Sequence, residues 1–232
     1  MNKTVVNALK AVAVLTVISI VCVGLLAVCN MFFPKYKPTL DAATLSMINS
    51  ICPTGVNDAE AAEGGHIIML DSDEVGSIDA FNKANKKSKA SVLAVYAEPK
   101  GDNAGAHIFE CSSVGRDGDI VLLIAYNRGV IVGASVKKQG ESYYDKLPKD
   151  LLDNAIGTDG SLDLYDIVGK TGATLSLNAI TRALNISATY EKENSQRIDD
   201  ALAKRAEAEK AEKAEKAENE KDGEEAGKAE ND

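Results

Sequence analysis

Between Val168 and Leu184 the chain reads VGKTGATLSLNAITRAL. Thr171, Ala173, Thr174 and Ser176 crowd hydroxyls and small side chains around Gly172, directly ahead of an apolar pattern with helical spacing. Three chemistries use such residues. Gly169-Lys170-Thr171 has the ending of the phosphate-binding loop of nucleotide hydrolases. That loop needs a glycine five residues before Gly169, and Leu164 stands there, so this reading fails. Ser176 is not centred in G-x-S-x-G and has no histidine near it in sequence, so a hydrolase nucleophile is unsupported. Helix capping explains one hydroxyl: Thr171 or Thr174 would accept from an orphan N–H at the helix start. It leaves Gly172-Ala173 and the further hydroxyls unexplained. A helix start also presents free N–H groups and the positive end of the dipole, so it holds phosphate. The small residues would leave room for a phosphorylated ligand. A cap and a phosphate site both remain open on these residues alone.

Other chemistry is sparse. His66 and His107 are isolated in sequence, and no His, Cys and carboxylate cluster has metal-ligand spacing, so ordinary surface or core positions are expected and no metal. Cys52 and Cys111 are open to pairing if their domain lies outside the cytoplasm. The net charge is −9, but Glu191–Asp232 holds 15 acidic and 9 basic residues and accounts for −6 of it. The body carries only −3. An acidic chain of this kind argues against nucleic acid as a partner.

The elements that must position the hydroxyls are legible. From Ser91 on, SVLAVYAEP, HIFECSSV, IVLLIAYN and VIVGASVKK are short, β-branched segments separated by turn signals. Ile120–Tyr126 and Val130–Val136, joined through Asn127-Arg128-Gly129, predict a hairpin. Consecutive hairpins make an antiparallel sheet. A helix is predicted from about Leu175 to Tyr190, with Ala179, Ile180, Ala183, Leu184 and Ile186 as its apolar stripe. Upstream, Leu40, Leu45, Ile48 and Ile51 predict a short connecting helix stopped by Pro53, and a short strand is expected within residues 66–81. The fold class is α+β.

The two ends differ from the body. Ala11–Phe33 is a run of 23 residues without a charged side chain. At about 1.5 Å per residue it spans a hydrocarbon core of about 30 Å, and it is longer than the apolar region of a cleaved signal peptide. An uncleaved anchor is expected, containing Cys22 and Cys29 as small packing residues. Lys3 and Lys10 before it and Lys35 and Lys37 after it nearly balance, so the short stub inside and the large domain outside is a preference drawn from the layout. The organisation expected is therefore a stub over 1–10, an anchor over 11–33, a connecting helix and first part of the domain over 34–90, the site-bearing domain over 91–190, and a charged tail over 191–232. The tail has no apolar residue larger than alanine from Ala203 on. Pairs such as Glu209–Lys213 support a frayed helix, expected to dissolve after Gly223.

Thr171-Gly172-Ala173-Thr174-Leu175-Ser176 resembles the [ST]-G-A-T-x-[ST] signature of the covalent FMN-binding domain family. That family includes the RnfG component of the Rnf electron-transport complex and a component of the sodium-pumping quinone reductase. Gly118 to Ser142 is similar to the family's strand–turn–strand, ending in Glu141-Ser142 as its Glu-Thr/Ser pair. The resemblance covers roughly residues 5 to 190. Two positions depart from the family. Tyr143-Tyr144 stands where Pro-Gly often follows the Glu-Thr pair, and Val168 stands where an aspartate commonly precedes the signature's first hydroxyl by three residues.

The resemblance, which agrees with RnfG in the order of its segments, implies FMN esterified through its phosphate to Ser176, with Thr171, Gly172, Ala173, Thr174, Glu141 and Ser142 around it. It also implies a flavin transferase for maturation and multi-span membrane proteins of an Rnf-type, ion-translocating complex as partners. The protein would be an electron-carrying component rather than an independent enzyme, held at the cell membrane with its domain outside the cytoplasm. Two other functions compete with it: a stand-alone, membrane-tethered flavoprotein, and a non-redox binding protein in which the motif is only a cap.

Overall fold

The computed structural model describes residues 12, 15, 16, 19, 38–52, 67–99, 104–169 and 172–229, with side chains as far as residue 211. The chain divides into two units, Met1–Lys37 and Pro38–Asp232. In the first, Val12, Leu15, Thr16 and Ser19 are helical, and Thr16 Oγ1 and Ser19 Oγ donate to Val12 O and Leu15 O at 2.9 Å each. The rest of the expected anchor over 11–33 lies outside the described residues. Among the described residues, no helix is long and apolar enough to cross a membrane.

The second unit is an antiparallel meander with helices, as an α+β chain should be. Its elements are α1 (Ala42–Ile51), β1 (Ile68–Leu70), α2 (Ile78–Ala84), β2 (Ala90–Glu98), β3 (Ala106–Val114), β4 (Asp119–Asn127), β5 (Val130–Lys138), α3 (Leu164–Val168) and α4 (Thr174–Ala229). The five strands pair in sequence order, β1-β2-β3-β4-β5. Arg128 and Gly129 form the β4–β5 turn with φ of 53° and 75°, and Asn127 pairs directly with Val130. Two central residues at positive φ are what a two-residue hairpin turn of matching twist requires, and Gly129 supplies one of them at no steric cost.

Strand periodicity sorts the side chains into two cores. On β4, Ile120, Leu122, Ile124 and Tyr126 enter one core and Leu123 and Ala125 the other. Because both faces are covered, β4 is buried along nearly its whole length and reads as a continuous apolar run. On β2 the parity flips. Val92 shares the first core with Val95 and Ala97, because a bulge between Val92 and Ala94 inserts one extra residue. The first core lies under α4, through Leu177, Ile180, Ala183, Leu184 and Tyr190. The second lies under α1, which is capped by Asp41 accepting from Thr44 N–H at 2.7 Å. The connecting helix is thus a packing layer: Ile48 and Ile51 are buried, and a Cβ at Gly133 of β5 would run into Ile51 O.

Two expectations need correction. The helix predicted to end near Tyr190 continues without a break to Ala229, past the dissolution expected after Gly223. The charged tail placed at 191–232 also starts too early: Glu191, Asn194, Ile198, Ala201 and Leu202 are buried, and the described residues are out of the core only from Ala203 on. Ile198 and Leu202, one turn apart, suffice to hold about three further turns against the first core, because α4 is already docked and need not nucleate again. Cys52 and Cys111 are free thiols in the second and first cores respectively, so the sheet separates them. Burial pushes both thiols up, Cys52 to about 12 with Glu98 adding to it.

Candidate functional site

Three backbones meet at one end of the sheet. The β3–β4 turn folds Gly115 N–H onto Gly118 O at 2.9 Å. The chain leaving β5 brings in Glu141 three residues after the last strand residue. Helix α4 begins at Thr174, and Leu177 N–H donates to Ala173 O at 2.9 Å.

Glu141 joins all three. Its Oε1 accepts from Asp117 N–H at 2.9 Å and Gly118 N–H at 3.1 Å, and its Oε2 accepts from Ser176 Oγ at 2.6 Å. Glu141 is 6 % exposed and Ser176 2 %. Burial by itself would raise the Glu141 carboxyl; the Ser176 hydroxyl and the amides of Asp117, Arg116 and Gly118 outweigh it and hold the group below its ordinary value. A Cβ at Gly115 would meet the Glu141 carboxylate, so the turn admits this side chain only because residue 115 is glycine. Asp117 is held low in turn by the Ser142 hydroxyl and amide, with Ser142 N–H donating to Asp117 Oδ2 at 3.1 Å.

A shallow concavity of about 180 Å³ opens over Ser176, lined by Arg116, Tyr143 and residues 172–176. Two cations stand at its edge around Tyr143: Arg116 lies 4.9 Å and Lys146 Nζ 4.4 Å from the ring centroid. A Cβ at Gly172 would come within 2.8 Å of Lys146 Cδ, so the glycine lets the lysine stem pass close to the motif. A roomier cleft of about 660 Å³ lies at the opposite end of β3, beside His107. It has no motif hydroxyl from residues 171–176 on its wall.

The structure brings most of the sequence-nominated residues together and separates their roles. Ser176, Gly172 and Thr174 line the concavity, with Ser176 buried and Thr174 exposed on the first helical turn. Ala173 also packs into the first core, so its small size answers the sheet as well as the concavity. Glu141 touches Ser176 directly, whereas Ser142 is exposed and engages Asp117. Thr171 and His66 lie outside the described residues. Sequence reasoning missed Arg116, Lys146, Gly115 and Tyr143. Gly115 and Gly118 bracketing the β3–β4 turn were a usable signal, because a meander puts that turn beside the exit of β5. His107 is isolated only in sequence. It is buried, with Nδ1 2.8 Å from Glu191 Oε2 and Nε2 3.3 Å from Asp199 Oδ1.

Residues 115–189 match the family model of the FMN-binding domain. No curated protein matches the chain. The match starts at the glycine that makes room for Glu141 and takes in both Glu141 and Ser176, and the cofactor it supports is FMN. The residues present fit the phosphate end of that cofactor. They offer a hydroxyl at a helix start and two nearby cations, which suit an anion. A volume of about 180 Å³ is below that of sites enclosing a whole small molecule, so the concavity suits a phosphate and the first part of its chain.

Proposed function

We propose that this chain is an electron-carrying flavoprotein whose FMN is joined through its phosphate to Ser176, serving as an RnfG-like component of a membrane-bound, ion-translocating redox complex. The observation that carries the attachment is the Ser176 hydroxyl, buried at the start of α4 and hydrogen-bonded at 2.6 Å to Glu141, inside the segment that matches the FMN-binding domain. FMN supplies one- and two-electron transfer when bound; the protein supplies its place and surroundings. Arg116 and Lys146 offset the phosphate charge beside the helix start. Residues 11–33 serve as the membrane anchor, with the domain outside the cytoplasm, where a covalent link prevents loss of the cofactor by dilution. One span makes no ion path, so multi-span partner proteins complete the complex, and a flavin transferase matures the protein.

Expression beside an active flavin transferase tests the attachment. Intact-mass measurement should show a gain of one FMN less one water, and in-gel flavin fluorescence should survive denaturation. Ser176→Ala should lose both while keeping its fold, Ser176→Thr should retain them, and Thr174→Ala should reduce them incompletely. Fluorescence that persists in Ser176→Ala but vanishes in Thr174→Ala would move the ester to Thr174. A wild type that never acquires flavin would refute the covalent reading. Co-purification with multi-span membrane proteins tests the complex, and protease access to the domain in intact cells tests its side of the membrane.

A further inference from the structure

We propose that the lysine-rich turn ahead of β2, with Val114 beside it, is a docking surface for the anionic headgroups of a lipid bilayer. It rests on the reading of residues 11–33 as a membrane anchor. Lys83, Lys86, Lys87 and Lys89 fall within seven residues of a chain whose net charge is −9. All four are exposed: Lys83 lies in the last turn of α2, Lys86 and Lys87 in the helical turn Lys86–Ser88, and Lys89 directly after it. Among the described residues, none of these ammonium groups has an ion-pair partner. The segment that carries them is pinned at both ends. Asn82 bonds the N–H and the C=O of Val92 at 2.9 and 2.7 Å. Lys89 O accepts from Val114 N–H at 3.1 Å and from Ser113 Oγ at 3.3 Å, and Ser113 Oγ accepts in turn from Arg182 Nε at 3.3 Å. Lys89 holds φ of 58°, where glycine or asparagine would be less strained. Val114 is 55 % exposed and lines a concavity of about 220 Å³ with Lys86 and Lys89, in which Asp119 is the acidic side chain.

Cations around an exposed apolar side chain have the chemistry of an interfacial contact. The ammonium groups meet headgroup phosphates, and the apolar group enters the boundary with the acyl chains. The layout of the chain favours this occupant. The lysines share their end of the sheet with Glu141 and Ser176, because Ala90 pairs with Ser113 and Val114 with Asp119, beside the β3–β4 turn. Helix α1 begins at this end too. The charge of Lys137, next to last in β5, acts on its cap Asp41, whereas Cys52 past its last turn meets Glu98, the last residue of β2, at 3.6 Å. From Phe33, where the apolar run ends, to Asp41 the chain extends at most about 30 Å. The end of the sheet that bears the lysines is therefore the end from which the chain leads back to lipid. An acidic protein would satisfy the lysines from any direction and gains nothing from so short a tether. Docking through this surface turns the FMN phosphate site toward the bilayer.

The chain contains no tryptophan, so Val114→Trp introduces a single indole at an exposed position. The full chain carrying it is reconstituted into vesicles of brominated phosphatidylcholine, alone or with about one-third phosphatidylglycerol, and bromine quenches the indole on contact. Quenching in the Val114→Trp variant should rise severalfold when the anionic lipid is added. In a Val130→Trp variant, at the opposite end of the sheet, it should barely change. Raising salt from about 0.1 to about 1 M, which shortens screening from about 10 to about 3 Å, should remove the rise. Reversing two charges with Lys86→Glu and Lys87→Glu should remove it at low salt. A second measurement needs no substitution: amide hydrogen exchange at residues 86–89 of the wild-type chain should slow severalfold when the anionic lipid is added. If the chain floats with neutral vesicles but either response to anionic lipid is absent, the proposal alone falls and the lysines are left to an acidic protein. An equal rise in the Val130→Trp variant, or a rise that survives high salt or charge reversal, also overturns it. If the chain floats with neither kind of vesicle, the anchor reading falls and the proposal with it.

Discussion

Replacing Gly115 with alanine is the sharpest test of how the site is built. Gly115 is not in the left-handed region, so alanine adopts its backbone conformation without strain; the whole cost is collision. The new Cβ would overlap Glu141 Oε1 and lie 2.6 Å from its Cδ and 2.7 Å from Gly118 O. None of these is the free end of a flexible chain, because Oε1 is tied to two amides and Gly118 O to Gly115 N–H. Either the turn opens or Glu141 leaves it. Expelling the carboxylate strands two turn amides and the Ser176 hydroxyl. Overpacking of this kind costs about 1–3 kcal/mol, and the lost hydrogen bonds to a charged group fall in a similar range. We expect Gly115→Ala to destabilise by about 2–3 kcal/mol in urea unfolding. A double-mutant cycle with Glu141→Ala isolates the cause. With the carboxylate already gone, the same alanine should cost at least about 1 kcal/mol less, the remainder being contact with Gly118 O. If the two substitutions add to within about 0.5 kcal/mol, Gly115 is not there to admit Glu141, and the account of the site is wrong.

Two further predictions concern α4. Burial works against protonation of His107, but the hydrogen bond and charge of Glu191, with Asp199 behind it, win and raise its pKa above the ordinary 6.5. A raised basic group stabilises the fold fully below its unfolded pKa and loses that contribution as pH climbs through the folded value. The stability difference between wild type and His107→Gln should therefore be largest at mildly acidic pH and shrink above about 6.5; a difference that grows with pH refutes the ion-paired arrangement. Removing residues 207–232 should leave thermal unfolding and flavin attachment intact, while ending the chain at Tyr190 should cost several kcal/mol through the loss of buried Ile198 and Leu202. A stable domain ending at Tyr190 would show that these turns are ornamental.

The strands were legible because each is bounded by turn chemistry and carries β-branched residues, so β2 to β5 lie close to the expected spans. The reach of α4 was not. Residues 191–202 are mostly polar, and two apolar anchors four residues apart look like a solvated face until the neighbouring sheet is known. Ser176 and Glu141 were nominated by resemblance, and residue types alone left both a cap and a phosphate site open, with the cap favoured. The missed residues share one cause. Gly115, Arg116, Tyr143 and Lys146 matter by adjacency across a turn, and no spacing within one element encodes that. Tyr143, read in the sequence as a departure from the family's loop, is the ring around which two cations gather.

The 2.6 Å contact between Ser176 and Glu141 depends on the rotation of α4 as well as on its docking. A helix turned by one residue moves every side chain about 100° around its axis, which would carry Ser176 away from Glu141. The first turn cannot set that angle alone, since only Ala173 and Leu177 beside Ser176 are buried there. The angle is set further along. Ser187 Oγ meets Tyr126 Oη at 2.9 Å and donates to Leu184 O, Tyr190 Oη donates to Val75 O at 3.2 Å, and Glu191 meets His107. Ser187 and Glu191 stand about 16 and 22 Å from Ser176 along the helix. Tyr126 and His107 belong to β4 and β3, the two strands joined by the turn that holds Glu141. The same pair of strands therefore fixes both partners of the Ser176–Glu141 bond, one through the turn and the other through the polar pins along α4. A rigid helix between the pins and the site makes the position of the Ser176 hydroxyl a property of the whole sheet.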